Sequence, residues 1–383
     1  IIEREYLFCY NLFDELEMIF LDQKTIKMLS YVIGGFAGFI FILFLISSCA
    51  NRKYTFEKLE NRMLKIAQEM YKDDESELPS QDKDTKTITL KKMISDGKID
   101  DVSKLFKRDD LKCNGTVTIT NNNGYYNYSP YLSCGSEYET KYLKDKIIED
   151  SLVESGVGLH ELKNTYVMRG EVQNNYVKLN GVVYRIVRIN DDGSIRVIEQ
   201  TGLKQKSWDD RYNPNTRNNT GINEFEYDSL NSRIRDTLHD YYNDESKFPK
   251  SIKQYIATQT LCIGKRTEND ITKDGSSECS KLIEDEVFGL ITPYEYLQAS
   301  LDPNCSYTTD SNCKNYNWMN KMKQSTWTLT ANAEDTKSAF FLNGNPYLST
   351  CSSASGVLVV FNITDKAIYV SGDGTEAKPY EFK

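Results

Sequence analysis

Between Met28 and Ser48 the chain reads MLSYVIGGFAGFIFILFLISS, 21 positions without a charged side chain. A helix of that length rises about 30 Å, the thickness of the hydrocarbon core of a bilayer. A soluble core rarely uses so long an unbroken apolar run. The stretch is therefore expected to hold the protein in a membrane through residues 28–48 and to leave everything after it in one compartment. Residues 1–27 start without Met and are read as a cytoplasmic or spurious N-terminal segment that carries no fold argument.

The end of the run has two readings. Ile46-Ser47-Ser48-Cys49 resembles a bacterial lipoprotein signal, in which cleavage leaves a lipid-accepting cysteine, here Cys49. The alternative is an uncut span over 28–49. The segment YTFEKLENRMLKIAQEMY follows within a few residues, and its Phe56, Leu59, Met63, Ile66 and Met70 recur at steps of three and four, an apolar stripe on one helix face. A helix leaving the membrane so directly favours the span over a lipoprotein, which usually continues with a flexible spacer. Orientation carries a conflict. Lys24 and Lys27 precede the run, while Arg52, Lys53, Lys58 and Arg62 follow it, and the positive-inside rule would keep the C-terminal part in the cytoplasm.

The cysteines argue for the exterior. After Cys49 come Cys113, Cys134, Cys262, Cys279, Cys305, Cys313 and Cys351. None forms a CxxC pair, and the sequence holds only two histidines, His160 and His239, so zinc sites and Ser–His–Asp chemistry lack ligands and bases. No metal and no cofactor is expected. Pairing each cysteine with its neighbour, 113 with 134, 262 with 279 and 305 with 313, closes three polar loops and leaves Cys351 over, although six cysteines allow 15 connectivities. Three stapled loops fit an oxidising compartment. In the first, Thr116–Thr120 alternates as a strand and an Asn-rich turn closes on Gly124. With Thr120 facing Tyr125, Cys113 falls opposite Leu132, two residues short of Cys134.

Two folded units are expected, of α+β class. Residues 54–145 hold the amphipathic helix, a break at Leu78-Pro79, a short helix in TLKKMISDGKI ending at Gly97, and the hairpin. This order resembles type IV pilins and pseudopilins, although the Gly-aromatic processing site and the Glu after it are absent at the start of the span. Residues 146–164 are read as a linker or bridging helix. Residues 165–383 open with strands that turn at Gly181 and at Asp191-Asp192-Gly193, then pass to a helix on Leu230, Ile234 and Leu238 with Ser229 or Asp228 as its cap.

The succession VKLNGVVYRIVRINDDGSIRVI, WDDRYN, SRIRDTLHDYYN, VFGLITPYEYLQA, WTLT and SGDGTEAKPYEF is similar to a family of Gram-positive bacterial surface domains related in fold to C-type lectins and the formylglycine-generating enzyme. The resemblance implies a loop-rich lectin-like α+β domain displayed on a membrane stalk. Related sequences carry an Arg-Pro-Val run where this chain reads Gly356-Val357-Leu358-Val359-Val360. The enzyme of that fold uses paired cysteines, and the surroundings of Cys305, Cys313 and Cys351 do not match its motif.

The most pointed cluster is Trp208-Asp209-Asp210-Arg211-Tyr212-Asn213. A Trp face, an Arg fork and two carboxylates can stack on a sugar and bond its hydroxyls. The same set can fix a core loop, and its place shortly before a helix favours that role. Trp327 in STWTLT is expected on a half-buried strand, and Glu284-Asp285-Glu286 on a solvated turn. A net charge of −9 speaks against nucleic acid as a partner. The expectation is a non-catalytic surface protein, single-pass, with its C-terminal units extracellular, that binds a glycan or protein partner. A pilus-type assembly subunit and a divergent oxidase are the alternatives.

Overall fold

The computed structural model describes residues 54–72 and 74–383. The apolar run at 28–48 and Cys49 lie outside the described residues, and among the described residues no helix is long and apolar enough to cross a membrane. Helix α1 (Phe56–Met70) forms on the stripe read from the sequence, burying Leu59, Met63, Ile66 and Ala67. It lies against a three-stranded antiparallel sheet of β1 (Thr85–Thr89), β2 (Asn114–Asn122) and β3 (Tyr125–Ser133). Gly115 lets the helix approach closely, since a Cβ there would sit 2.8 Å from Met63 Cε. At the start of α1, Phe56 stacks between Phe106 and Tyr138, each with ring centroids 4.9 Å away. The short helix α2 (Leu90–Ser95) is capped by Thr89, whose hydroxyl accepts from Lys92 N, and Gly97 follows with φ +68°.

The β2–β3 register corrects the sequence reading. Asn123 and Gly124 form a two-residue turn with φ 51° and 82°, the left-handed pair that a tight hairpin requires. Thr120 therefore pairs with Asn127 rather than Tyr125, and Asn114 with Ser133. Cys113 and Cys134 end up directly across from each other, Cα atoms 4.1 Å apart, and need no shift to bond. The other two disulfides, Cys262–Cys279 and Cys305–Cys313, are also formed, leaving Cys351 free and buried. Three disulfides suit an extracellular or secreted protein.

The stretch read as a linker holds a helix, Leu143–Ser151, and the first strand of a hairpin, Gly158–Leu162 with Thr165–Arg169. That hairpin joins a nine-stranded mixed sheet. Its path runs from Ile256–Ala257 through Val360–Ile363, Ile195–Glu199, Val182–Ile189 and Tyr176–Leu179 to Tyr380–Phe382 and Tyr369–Ser371. The Asn180-Gly181 turn and the Asp191–Gly193 turn separate strands as expected, the first again with positive φ at both positions. A second sheet holds Thr326–Asn332, buried along its whole length. Trp327 is thus fully rather than half buried, its indole N–H donating to Lys206 O at 2.9 Å. In the core Phe248, Phe288 and Phe361 meet one another, with edge or tilted ring contacts at 4.9–6.5 Å.

Two further expectations are corrected. The helix on Ile234 and Leu238 runs Arg233–Asn243 and is capped by Ser232, not by Asp228 or Ser229. Those two residues adopt φ 50° and 60° at the tip of a minimal hairpin, Glu226–Tyr227 with Leu230–Asn231, so Leu230 is 61% exposed instead of forming the helix spine. Glu284-Asp285-Glu286 belongs to a strand, Leu282–Glu286. Only Glu284 and Asp285 face solvent. Glu286 is buried beneath Arg235 (2.6 Å) and His239 (2.9 Å). Burial raises its carboxyl pKa, but those two partners win and hold it below the ordinary range.

Phe56–Lys383 cohere as one compact unit. The small sheet is tied to the rest by Asn122 Nδ2, which donates to Gln254 O at 2.6 Å, and by Ser129, whose hydroxyl donates to Lys366 O. Lys253 is the central tie. Its stem is buried and its ammonium lies 5.4 Å from the ring centre of Tyr125 and 4.7 Å from that of Tyr242, paired with Glu245 at 2.7 Å.

Candidate binding site

The 208–213 cluster is divided between core and surface. Trp208 is fully buried, its indole N–H donating to Thr328 O at 3.0 Å. Asp209 is fully buried as well, accepting from Arg211 Nε at 2.9 Å and from Ile222 N at 3.0 Å. Asn213 Nδ2 donates to Gly221 O at 2.7 Å and to Thr336 O at 3.0 Å. These three residues brace the loop 209–222. Asp210 and Tyr212 reach solvent; Asp210 pairs with Arg233 at 3.0 Å, and Tyr212 is 58% exposed. Arg211 Nη2 is buried without a hydrogen-bond partner. The structure thus splits the six residues, with Trp208, Asp209 and Asn213 in the core and Asp210 and Tyr212 at the surface. Of the histidines, His160 bonds Gly156 O at 2.7 Å and His239 pairs with Glu286.

A polar cleft of about 740 Å³ lies elsewhere, lined by Glu171, Asp302, Asn304, Lys314, Tyr316 and Asn320, with Pro303 and Asn315 completing it. Its walls are set by backbone. The strand Thr165–Arg169 ends at Gly170, whose N–H donates to Ala299 O at 2.8 Å and whose carbonyl accepts from Trp318 N at 3.0 Å. Gly170 has φ +82°, and a Cβ there would come within 2.6 Å of Leu301 Cδ1, so only glycine lets strand and loop close on each other. Glu171 is thereby placed opposite the loop 302–304.

The far wall is the segment after the Cys305–Cys313 staple. Asn317, fully buried, donates from Nδ2 to Tyr296 O and Cys313 O at 2.9 Å each and accepts from Met319 N at 3.0 Å. That brace holds the preceding residue, Tyr316, in the left-handed region at φ 46°, while its carbonyl accepts from Leu301 N at 3.1 Å. A bulky side chain pays roughly 1–2 kcal/mol for that backbone. Tyr316 is nonetheless 61% exposed, its ring contributing nothing to the core. Asp302 accepts from Asn315 Nδ2 at 2.7 Å and from Asn304 N at 2.8 Å, which hold its carboxyl below the usual range and keep it an anion. Glu171 pairs with Lys321 at 2.7 Å.

The cleft therefore offers an aromatic face, three side-chain amides, two carboxylates and a lysine, all at the surface. Amides and carboxylates at this density can pair with the hydroxyls of a sugar while the ring covers its apolar face. Sequence reasoning read Cys305–Cys313 as a stapled polar loop but passed over Tyr316. The signal available was the density of Asp, Asn and Tyr from 302 to 320 around the shortest disulfide loop. A hollow of similar volume, about 760 Å³, in the small module joins Leu90, Ile94, Val102 and Leu111 to Asp101, Asp109, Lys91, Lys112 and Tyr131, but Asn114 is its one side-chain amide where the Tyr316 cleft has three. Among the described residues no group of three or more His, Cys, Asp or Glu could hold a metal ion. No family model, no curated protein and no solved structure matches this chain.

Proposed function

We propose that this chain is a membrane-anchored surface protein that binds a glycan in the cleft around Tyr316. The anchor in this reading is the run 28–48, uncut or replaced by lipid on Cys49, and the disulfide-stapled remainder faces outward. The observation that carries the binding role is Tyr316 itself, an aromatic ring kept exposed on a left-handed backbone over a polar cleft. Strain held in place by surrounding hydrogen bonds, with no gain to packing, is a mark of a functional position.

Two observations favour binding over the other readings. Leu59, Met63 and Ile66 of the α1 stripe are buried and Met70 is exposed, which leaves little of the stripe open as an assembly face. Six of the cysteines after Cys49 are joined in disulfides, and burial drives the thiol pKa of the seventh, Cys351, far above its ordinary value, which suits neither copper-thiolate nor nucleophilic chemistry. The test is a glycan panel probed with the full chain and with Tyr316→Ala. A defined subset of glycans should bind, and the variant should lose at least about tenfold, the worth of one stacked ring. Binding to no glycan, or equal binding by Tyr316→Ala, would remove this function and leave a protein ligand as the next candidate.

A further inference from the structure

Beside the Tyr316 cleft, and sharing Asp302 and Pro303 with it, lies a smaller hollow of about 290 Å³. Leu162, Leu297 and Leu301 give it apolar walls, and Arg169 and Lys273 bring two cations to it. One chain of hydrogen bonds fixes both. Arg169 donates from Nε to Gln298 O at 2.9 Å and from Nη2 to Ser300 O at 3.1 Å. The Gln298 side chain donates in turn to Lys273 O at 3.0 Å, and Lys273 Nζ donates to Cys305 O.

Every acceptor in that chain is a neutral carbonyl. Among the described residues neither cation forms an ion pair with a carboxylate, and the other sheltered arginines differ. Arg196, Arg211, Arg235 and Arg266 each meet one, while Arg185 is stacked between Tyr176 and Trp318. Half-buried Arg169 has neither kind of partner, and burial alone lowers its pKa. The nearby acids are already engaged. Asp302 is held by Asn304 and Asn315; Asp310, which feels the charge of Lys273, accepts from Ser306 and Asn312. A guanidinium with five N–H groups and an ammonium with three keep donors free here, aimed at no anion of the protein.

We propose that this hollow is an anion subsite, which receives the carboxylate or the phosphate of an acidic sugar. On the glycan reading above, the neighbouring sugar of the same chain lies against Tyr316; the anion subsite itself rests only on Arg169 and Lys273. Charge-assisted bonds to a carboxylate or phosphate would neutralise two cations that the fold leaves unpaired.

The test uses ligand-observed saturation-transfer NMR on the full chain with three probes: methyl glucuronide, glucose 1-phosphate and methyl glucoside. Wild type is compared with Lys273→Glu, Lys273→Gln and Tyr316→Ala. Lys273 is exposed and makes one bond to a carbonyl, so these substitutions should leave the thermal midpoint unchanged. At least one anionic probe should bind more tightly than methyl glucoside, lose tenfold or more in Lys273→Glu, and weaken with added salt. Preference for the glucuronide identifies a uronic acid, and preference for the phosphate identifies a sugar phosphate. Anionic probes that bind no better than methyl glucoside, or bind Lys273→Glu as well as wild type, overturn the subsite. Anion binding that survives Tyr316→Ala undiminished, with no glycan retained on the panel, would retire the cleft reading while the subsite stands.

Discussion

Replacing Glu199 with Gln is expected to stabilise the protein at pH 8 and to change little at pH 4. Glu199 ends the strand Ile195–Glu199, 3% exposed, and its carboxyl accepts from Tyr241 Oη at 2.9 Å and from Val359 N at 3.1 Å. Among the described residues no cation forms an ion pair with it, and the charge of Lys247 lowers its pKa less than burial raises it. Burial pushes its pKa up from 4.5 to about 7, against the two hydrogen bonds that pull it down. Between those two pH values the folded protein keeps a proton that the unfolded chain has released. Stability from this group is therefore fully present below about pH 4.5 and is lost as pH rises through about 7. Two to three pH units at about 1.4 kcal/mol each come to about 3 kcal/mol. Gln fills the same space, accepts from Val359 N, and does not ionise. Urea unfolding of the full chain followed by tryptophan fluorescence, at pH 4 and pH 8, gives the difference between variant and wild type. That difference should grow by up to about 3 kcal/mol in favour of the variant at pH 8. An equal difference at both pH values, or a larger loss at pH 8, would show that the buried carboxyl is not held neutral by its surroundings.

Removing the first staple with Cys113→Ser and Cys134→Ser together should cost about 3 kcal/mol in the chain-entropy account of a loop this long, read as a lowered denaturation midpoint. The paired strands should survive it, because the Asn123-Gly124 turn sets the register independently. Lys253→Ala should leave Glu245 unpaired and the rings of Tyr125 and Tyr242 without their cation, costing about 2 kcal/mol and speeding amide exchange along β3 more than along the central strands. Cys351 should resist alkylation in the native state and react once the chain unfolds, as its burial and raised pKa require.

Local chemistry was legible in the sequence. Asn-Gly pairs announce tight turns, the spacing of Leu59, Met63 and Ile66 announces a helix face, and neighbouring cysteines in short polar loops found each other. What escaped were quantities set by one residue of turn length or by distant partners. The hairpin register slipped by two because the turn has two residues rather than four, and every pair along both strands moved with it. Asp228 and Ser229 looked like caps, yet both took left-handed turn conformations, which Asp and Ser tolerate, and Ser232 capped instead. For Trp208 and Asp209 the sequence favours a core loop but leaves recognition open as well, because composition does not tell a satisfied buried polar group from an exposed one. Their partners, Thr328 and Ile222, lie 120 and 13 positions away. Tyr316 was hidden for the converse reason: its exposure is imposed by a brace from the adjacent Asn317 to Tyr296 and Cys313.

The staple across the open end of the β2–β3 hairpin also has a mechanical meaning. A pull transmitted along the backbone passes from Cys113 to Cys134 through the sulfur bond and bypasses the turn. The 21 bonds of sequence between them, about 70 Å of extended chain, are withheld from any stretching of the two ends. Cys305–Cys313 does the same for the loop beside Tyr316. Under a pull along the backbone, residues 114–133 and 306–312 bear no load, so these two loops keep their shape while unstapled parts of the chain yield first.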